Sequence, residues 1–118
     1  MDLTKMDREA ICRVIVAQLE AFQAHDGMQA FFYAAPAIRQ QFQTVANFMH
    51  MVRTSYPVVY RPREVLFGPL SEMQGFPAQT VFLMSQEGQI FQATYLMEQL
   101  PSKDWRIAGC FLVPIEDT

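Results

Sequence analysis

The sequence lacks the residue patterns from which most metal, nucleotide and serine-hydrolase sites are built. It has only two histidines and two cysteines, with no CxxC, HxH or HExxH spacing, so a metal site is not expected. It also has no GxSxG sequence and no glycine-rich phosphate loop. We therefore assign no metal ligand, no cofactor and no catalytic residue.

Long apolar runs are absent as well. No window approaches the ~18 residues of a membrane-spanning helix, and the polar N-terminus, MDLTKMDREA, lacks the apolar centre of a signal peptide. We expect a cytoplasmic protein without a membrane partner, and an export signal removed ahead of the printed sequence is the open alternative. Both cysteines, Cys12 and Cys110, fall in apolar runs and are expected to be buried free thiols.

Acidic side chains are missing from a long central stretch. No Asp or Glu occurs from Gly27 to Arg63, although the stretch holds four arginines and the whole chain has a net charge of −3. A protein with a net negative charge is not expected to bind nucleic acid. The basic stretch is interpreted as solvated surface, with an anion or carboxylate site as the alternative.

Apolar and aromatic residues are abundant. They make up 51% of the 118 residues, and ten of them are phenylalanine. A chain of this length is expected to form one domain, residues 1–118, with a core that needs no disulfide or metal. The aromatic content suits either a large core or an apolar pocket.

The last third of the chain has the pattern of a β-meander. Three runs rich in β-branched and aromatic residues lie at 78–85, 89–100 and 105–113. The short connection at Gly88 and the polar break at 101–104 predict antiparallel neighbours. A further strand is predicted from residue 63 to about residue 73, where Pro69 restricts it to a sheet edge or a bulge.

Three helices are predicted ahead of the strands. Apolar residues at three- and four-residue spacing indicate a helix over residues 4–25. Asp26 is expected to cap a second helix, which Pro36 interrupts, and Thr44 to cap a third over residues 45–54, ahead of a bridge at 58–62. Helices followed by strands indicate an α+β fold, with three N-terminal helices packed on a curved, mainly antiparallel sheet of about four strands.

Neither face of the predicted strands is clearly polar. Strict alternation in the last strand places one set of residues on one face (Trp105, Ile107, Gly109, Phe111 and Val113) and the intervening set on the other (Arg106, Ala108, Cys110 and Leu112). An antiparallel sheet with one wet face would alternate apolar and polar residues. We therefore expect helices to cover one face and a second copy of the chain to cover part of the other, which predicts a homodimer through the sheet.

Several runs of residues carry a family resemblance. The sequence AFQAHDGMQAFF, followed by short helices and a final DWRIAGCFLV, resembles the nuclear transport factor 2-like superfamily, whose fold is a cystatin-like α+β cone. More closely, FMHMVRTSYPVVYRPREVLFGPL followed by YLMEQLPSKDWRIAGCFLV looks like the bacterial family called domain of unknown function 4864. The resemblance covers nearly the whole chain and implies a ligand-binding cavity in the mouth of the cone.

The resemblance also raises the question of catalysis. The superfamily includes ketosteroid isomerases, dehydratases and polyketide cyclases, and its isomerases use an acid soon after the second helix as the general base. Here no acid lies between Asp26 and Glu64, and Gln18 occupies the position of a tyrosine on the first helix. Proton abstraction by a carboxylate is therefore disfavoured. A lyase or isomerase in which His50 or a tyrosine replaces the acid is the alternative.

The leading hypothesis is a binding domain for a small apolar or amphipathic molecule with a carboxylate or other polar end. Its predicted lining is Gln18, Phe22, Tyr56, Tyr60, Arg61 and Tyr95. Gln18 is an amide on the apolar face of the first helix and needs a polar partner there. The tyrosines suit a pocket rim, and Arg61 is suited to a carboxylate. A third possibility is a protein-interaction or structural module whose cavity is filled by its own Phe and Met side chains.

Overall fold

The computed structural model describes residues 2–116, in which five helices precede a four-stranded antiparallel sheet. The helices are α1 (Lys5–Gln23), α2 (Gly27–Phe32), α3 (Pro36–Phe42), α4 (Val45–Ser55) and α5 (Pro57–Tyr60). The strands are β1 (Glu64–Met73), β2 (Phe76–Met84), β3 (Ile90–Gln99) and β4 (Trp105–Ile115). They pair in chain order, so β1 and β4 are the sheet edges. The predicted α+β class is confirmed.

Helices α1, α2 and α4 begin at side chains that bond to free backbone N–H groups. Thr4 and Asp7 do so reciprocally at the start of α1, where each side chain accepts from the other residue's N–H at 3.0 Å. Asp26 caps α2 by accepting from the Gln29 N–H, and Thr44 caps α4 in the same way. The predicted caps at Asp26 and Thr44 are confirmed.

The segment expected as a bridge contains an additional turn of helix, α5. Pro57 occupies its first position, where the proline ring sets φ in advance and the missing N–H would have had no partner. The turn buries Val58, Val59 and Tyr60. Tyr60 is thereby placed in the interior.

Turn chemistry sets the registers of β1, β2 and β3. Gly88 has φ of +89°, and its N–H donates to the Ser85 carbonyl at 3.0 Å, which closes the turn between β2 and β3. In β1 the register shifts between Phe67 and Leu70, on either side of Pro69. The prediction that Pro69 lies at an edge or a bulge is therefore confirmed on both counts.

A second bulge changes the direction of the side chains in β4. Leu96 pairs with Gly109 and Met97 with Ile107, so Ala108 is an extra residue. The predicted strict alternation is therefore wrong beyond Ala108, because one extra residue inverts the faces that follow. Cys110 and Leu112 pack against the core, whereas Phe111 and Val113 are 52% and 60% exposed.

The core lies between the helices and one face of the sheet, here called the inner face. Buried residues of α1 (Ile11, Ile15, Leu19 and Phe22) and of the strands (Val81, Leu83, Ala93, Tyr95, Met97 and Ile107) form one cluster. Among residues 2–116, no helix covers the opposite, outer face, on which Leu66, Phe111 and Val113 are exposed. Within residues 2–116, no helix is both long and apolar enough to span a membrane.

Candidate functional site

A cavity of about 530 Å³ lies between the helices and the inner face near β4. Its walls come from α1, α3, α4, α5, β3, β4 and the chain between α2 and α3. Ligand pockets in proteins typically have ~300–1,000 Å³, mostly apolar walls and a few polar groups. No Asp, Glu, Lys, Arg or His is among the lining residues, all of which lie in the described part of the chain.

Backbone hydrogen bonds hold one wall of the cavity in place. The Ile107 N–H donates to the Tyr33 carbonyl, and the Ala35 N–H donates to the Ile107 carbonyl, both at 2.8 Å. They fix the chain ahead of α3 to the edge of β4, where Ala34 forms an isolated parallel bridge with Ile107. Because Pro36 starts α3 directly afterwards, that helix stands beside β4.

Aromatic rings make up much of the apolar wall. Phe48 of α4 contacts Phe22 of α1 and Phe42 of α3, with ring centroids 6.0 Å apart in both pairs. Aromatic pairs at this separation contribute attraction beyond their buried area. The three helices are thereby joined through one ring, and the cavity wall is part of the packed core.

Tyr95 of β3 brings a polar group into this apolar wall. The residue is 1% exposed, and its hydroxyl has no hydrogen-bond partner within residues 2–116. Burial, together with the neighbouring Cys110 thiol, raises the pKa of Tyr95 well above its usual range. The hydroxyl therefore keeps its proton at physiological pH and is a hydrogen-bond donor.

Cys110 lies opposite Tyr95 in the β3–β4 pairing and lines the same cavity. Burial raises the pKa of its thiol to about 12. A thiol that stays protonated is a poor nucleophile, since the thiolate is the reactive form. Cys110 thus contributes a neutral, polarisable side chain to the cavity wall. It does not act there as a catalytic base.

Gln18 of α1 is buried, and its amide joins two helices. Its Nε2 donates to the Ala30 carbonyl of α2 at 3.0 Å. The polar residue in the apolar stripe of α1 therefore has a structural partner, as a buried amide requires. It also lines the cavity.

The structure places four of the six predicted lining residues in the cavity wall: Gln18, Phe22, Tyr56 and Tyr95. Tyr60 is buried nearby, but its ring packs on Phe22 at 5.8 Å and its hydroxyl lies 2.9 Å from His25 Nδ1. Arg61 is exposed, and its backbone carbonyl accepts from the Gln86 side chain. Neither Tyr60 nor Arg61 lines the cavity.

Other lining residues were not identified from the sequence. Strict alternation placed Cys110 on the face opposite Trp105 and Ile107, and only the bulge at Ala108 turns it to the face that they occupy. Phe48, Met51 and Ser55 of α4 lie three and four residues apart. That spacing was the available signal, because such residues share one face of a helix.

His50, the alternative general base, is exposed on α4 and does not line the cavity. The cavity thus offers hydrogen-bonding groups and apolar surface, with no charged side chain in its lining. Within residues 2–116, no group of three His, Cys, Asp or Glu side chains has a geometry that could hold a metal.

A second, larger depression of about 1,000 Å³ runs along α1 and the turn between β3 and β4. It is wide open, and charged residues of both signs line it, among them Arg13, Glu20 and Lys103. These three side chains are exposed and already solvated. The 530 Å³ cavity, which has mostly apolar walls and no charged side chain in its lining, is therefore the stronger candidate for a binding site.

Comparison with known proteins identifies the family. The family model described as Domain of unknown function (DUF4864) matches residues 4–118. The chain belongs to this family. No curated protein and no solved structure matches it. The sequence resemblance to this family is thus confirmed, and the α+β fold of this DUF4864 chain is compatible with the nuclear transport factor 2-like superfamily.

Proposed function

We propose that this DUF4864 domain binds a small, uncharged, largely apolar molecule in the cavity beside β4. The observation that carries the proposal is an apolar cavity of about 530 Å³ with no charged side chain in its wall. The free energy falls when an apolar ligand replaces water against an apolar protein surface. An ionised ligand would lose its hydration there without gaining a counter-charge.

This proposal differs in one respect from the expectation drawn from the sequence. A carboxylate end on the ligand was expected because Arg61 was placed in the lining. Arg61 is exposed outside the cavity. The proposed ligand is therefore neutral, and its polar part is a hydrogen-bonding group.

Binding of an uncharged apolar fluorophore such as N-phenyl-1-naphthylamine tests the proposal. We expect one saturable site on the wild-type protein. Met51→Trp places a larger side chain in the cavity wall and should weaken binding about tenfold or more, since overfilling a packed space is costly. Met28→Trp adds the same indole at an exposed position of α2 and should leave binding unchanged.

Two outcomes would contradict the binding proposal. One is a wild-type protein that does not bind the fluorophore. The other is a folded Met51→Trp variant, with a native circular dichroism spectrum, that binds it as tightly as the wild type. In that second case the fluorophore occupies some other surface.

We also propose that the outer face of the sheet pairs with a second copy of the chain. The registers align three rows of side chains across that face: Leu66–Phe82–Gln92–Val113, Glu64–Met84–Ile90–Ile115 and Thr80–Thr94–Phe111. Glu64 is the only charged residue in these rows. A largely apolar surface with one charged residue at its margin can meet its own copy with little of the like-charge repulsion that a charged face would suffer.

The concentration dependence of sedimentation tests this pairing. A dimer at micromolar protein concentration that dissociates on dilution is the expected result. A monomer throughout the micromolar range would contradict the proposal.

A further inference from the structure

In the row of residues that crosses the inner face at Tyr95, some polar groups have hydrogen-bond partners and others do not. Gln79, Tyr95 and Cys110 are neighbours on β2, β3 and β4. The Gln79 Nε2 donates to the Gly68 carbonyl at 2.8 Å and to the Thr80 carbonyl at 2.9 Å, which uses both of its protons. Among residues 2–116, the Tyr95 hydroxyl beside it has no partner of good hydrogen-bond geometry and lies against the weakly accepting Cys110 thiol.

Neither neighbour can take the hydroxyl proton of Tyr95 effectively. Within residues 2–116 no acceptor meets hydrogen-bond geometry with the hydroxyl, and the Cys110 thiol that interacts with it has a sulfur that is only a weak acceptor. Less than 1 Å² of the hydroxyl oxygen is accessible to solvent, so bulk water does not satisfy it either. Buried polar groups without partners are rare in proteins, and each one calls for a specific cause.

The chemistry of the hydroxyl restricts the partner that suits it. Because Tyr95 stays protonated, it offers a donor and pairs best with an acceptor oxygen. A carbonyl oxygen is an acceptor with no proton of its own to place, whereas a ligand hydroxyl would bring a proton that needs another partner. A carboxylate is the stronger acceptor, but the cavity wall has no positive side chain to compensate its charge.

We infer that the bound molecule is a neutral carbonyl compound, such as a ketone, aldehyde, ester or amide, whose oxygen accepts a hydrogen bond from Tyr95. This inference rests on the proposed function, since it names the polar group of the ligand in that cavity. The apolar remainder of the molecule would lie against the rings of Phe22 and Phe48.

Access to the hydroxyl requires a small movement of the wall. Because less than 1 Å² of the hydroxyl oxygen is accessible, the carbonyl group of an entering ligand has to displace a neighbouring side chain to reach it. Met51 lines the same cavity, and an unbranched thioether is the side chain best able to change its rotamer there.

A competition assay against the neutral fluorophore tests the inference. The competitors are a long-chain methyl ketone and a hydrocarbon, a secondary alcohol and a carboxylate of the same carbon number. We expect the ketone to bind the wild type about tenfold more tightly than the hydrocarbon, the gain from one well-enclosed hydrogen bond. The alcohol and the carboxylate should bind more weakly than the ketone.

Tyr95→Phe removes the hydroxyl and keeps the ring. This variant should lose the preference for the ketone over the hydrocarbon while keeping the affinity for the hydrocarbon. The matched control is Tyr33→Phe, which lies outside the cavity wall and should retain the preference. The free Tyr95→Phe protein should melt no lower than the wild type, because the hydroxyl that it lacks had no partner.

The outcomes separate this inference from the proposed function. If the fluorophore does not bind the wild type, both are overturned. If the fluorophore and hydrocarbon bind but the ketone has no advantage, or keeps its advantage in Tyr95→Phe, the inference alone is wrong. Tighter binding of the carboxylate than of the ketone would overturn the assignment of a neutral ligand.

Discussion

The two faces of the sheet both carry side chains that do not match their surroundings, and they do so in opposite ways. On the inner face, the buried Tyr95 hydroxyl has no strong hydrogen-bond acceptor among residues 2–116. On the outer face, apolar side chains such as Leu66 and Val113 are 68% and 60% exposed. These two mismatches are the observations behind the proposed ligand on the inner face and the proposed second copy on the outer face.

Gln79 shows that enclosure by itself does not leave a polar group unpaired. It lies on the same inner face, next to Tyr95, and is 3% exposed. Its amide protons are both bonded, one of them to the Gly68 carbonyl at the β1 bulge. A buried polar group that serves only the fold is saturated by the fold, and Tyr95 departs from that pattern.

The largest expected effect is the loss of stability when the bonded amide of Gln79 is removed, which distinguishes Gln79 from Tyr95. Gln79→Leu leaves the Gly68 and Thr80 carbonyls without the amide and should lower the free energy of unfolding by about 3 kcal/mol. Urea denaturation measures the change. Gln92→Leu, a half-buried position on the outer face, is the control and should change stability little. If Gln79→Leu is as stable as the wild type, the distinction between a structural and a ligand-facing polar group fails.

The next largest effect is the contribution of Cys110 to the pH dependence of the free energy of unfolding. Its pKa is raised from 9.0 in the unfolded chain to about 12 in the fold, so the folded state holds the proton more tightly. The resulting stabilisation is complete below about pH 9 and is lost progressively as the pH rises towards about 12, by ~1.4 kcal/mol per pH unit.

Comparison of variants isolates this contribution. Cys110→Ala should remove the loss of stability in the first pH unit above about pH 9, whereas Cys12→Ala should retain most of it, because the Cys12 thiol is less enclosed. Unfolding free energies of the three proteins below and above that pH give the answer. Equal pH slopes for Cys110→Ala and the wild type would show that the Cys110 thiol is open to solvent.

The smallest expected effect on stability is at the outer face. Leu66→Lys should change the free energy of unfolding of the monomer by no more than about 0.5 kcal/mol, since the side chain is largely exposed. The same change should convert the proposed dimer to monomer, because each copy would bring a buried, unpaired charge to the interface. Met6→Lys, an exposed change on α1, should leave the dimer intact.

Local patterns in the sequence predicted those parts of the fold that depend on local chemistry. Asp26 and Thr44 cap helices because their side chains reach N–H groups three residues on, whatever the rest of the chain does. Gly88 has the positive φ that its turn needs. Pro69 marks a bulge in an edge strand because proline has no N–H to donate to the hydrogen bonds between strands. The pocket residues of α1, Gln18 and Phe22, followed from helical spacing in the same way.

Features that depend on pairing between distant segments could not be predicted. Alternation in β4 is interrupted at Ala108, and nothing in the run WRIAGCFLV marks which residue is the extra one. Tyr60 was placed in the cavity, but the α5 turn and its contact with His25 direct it elsewhere. Gln79 was not singled out, since one of its two partners, the Gly68 carbonyl, lies on β1 and becomes visible only when β1 and β2 are paired.

The amino-acid sequence by itself determined the class of fold, the positions of the caps and turns, the family and the presence of Tyr95 in a strand. Only the tertiary structure decided that Cys110 turns inward beside Tyr95, that Arg61 stays outside the cavity and that the buried Tyr95 hydroxyl has no strong acceptor in the described part of the chain. The physical reason is that caps and turns use bonds between residues a few positions apart. The chemistry of the cavity depends on which side chains the sheet register and the helix packing bring together.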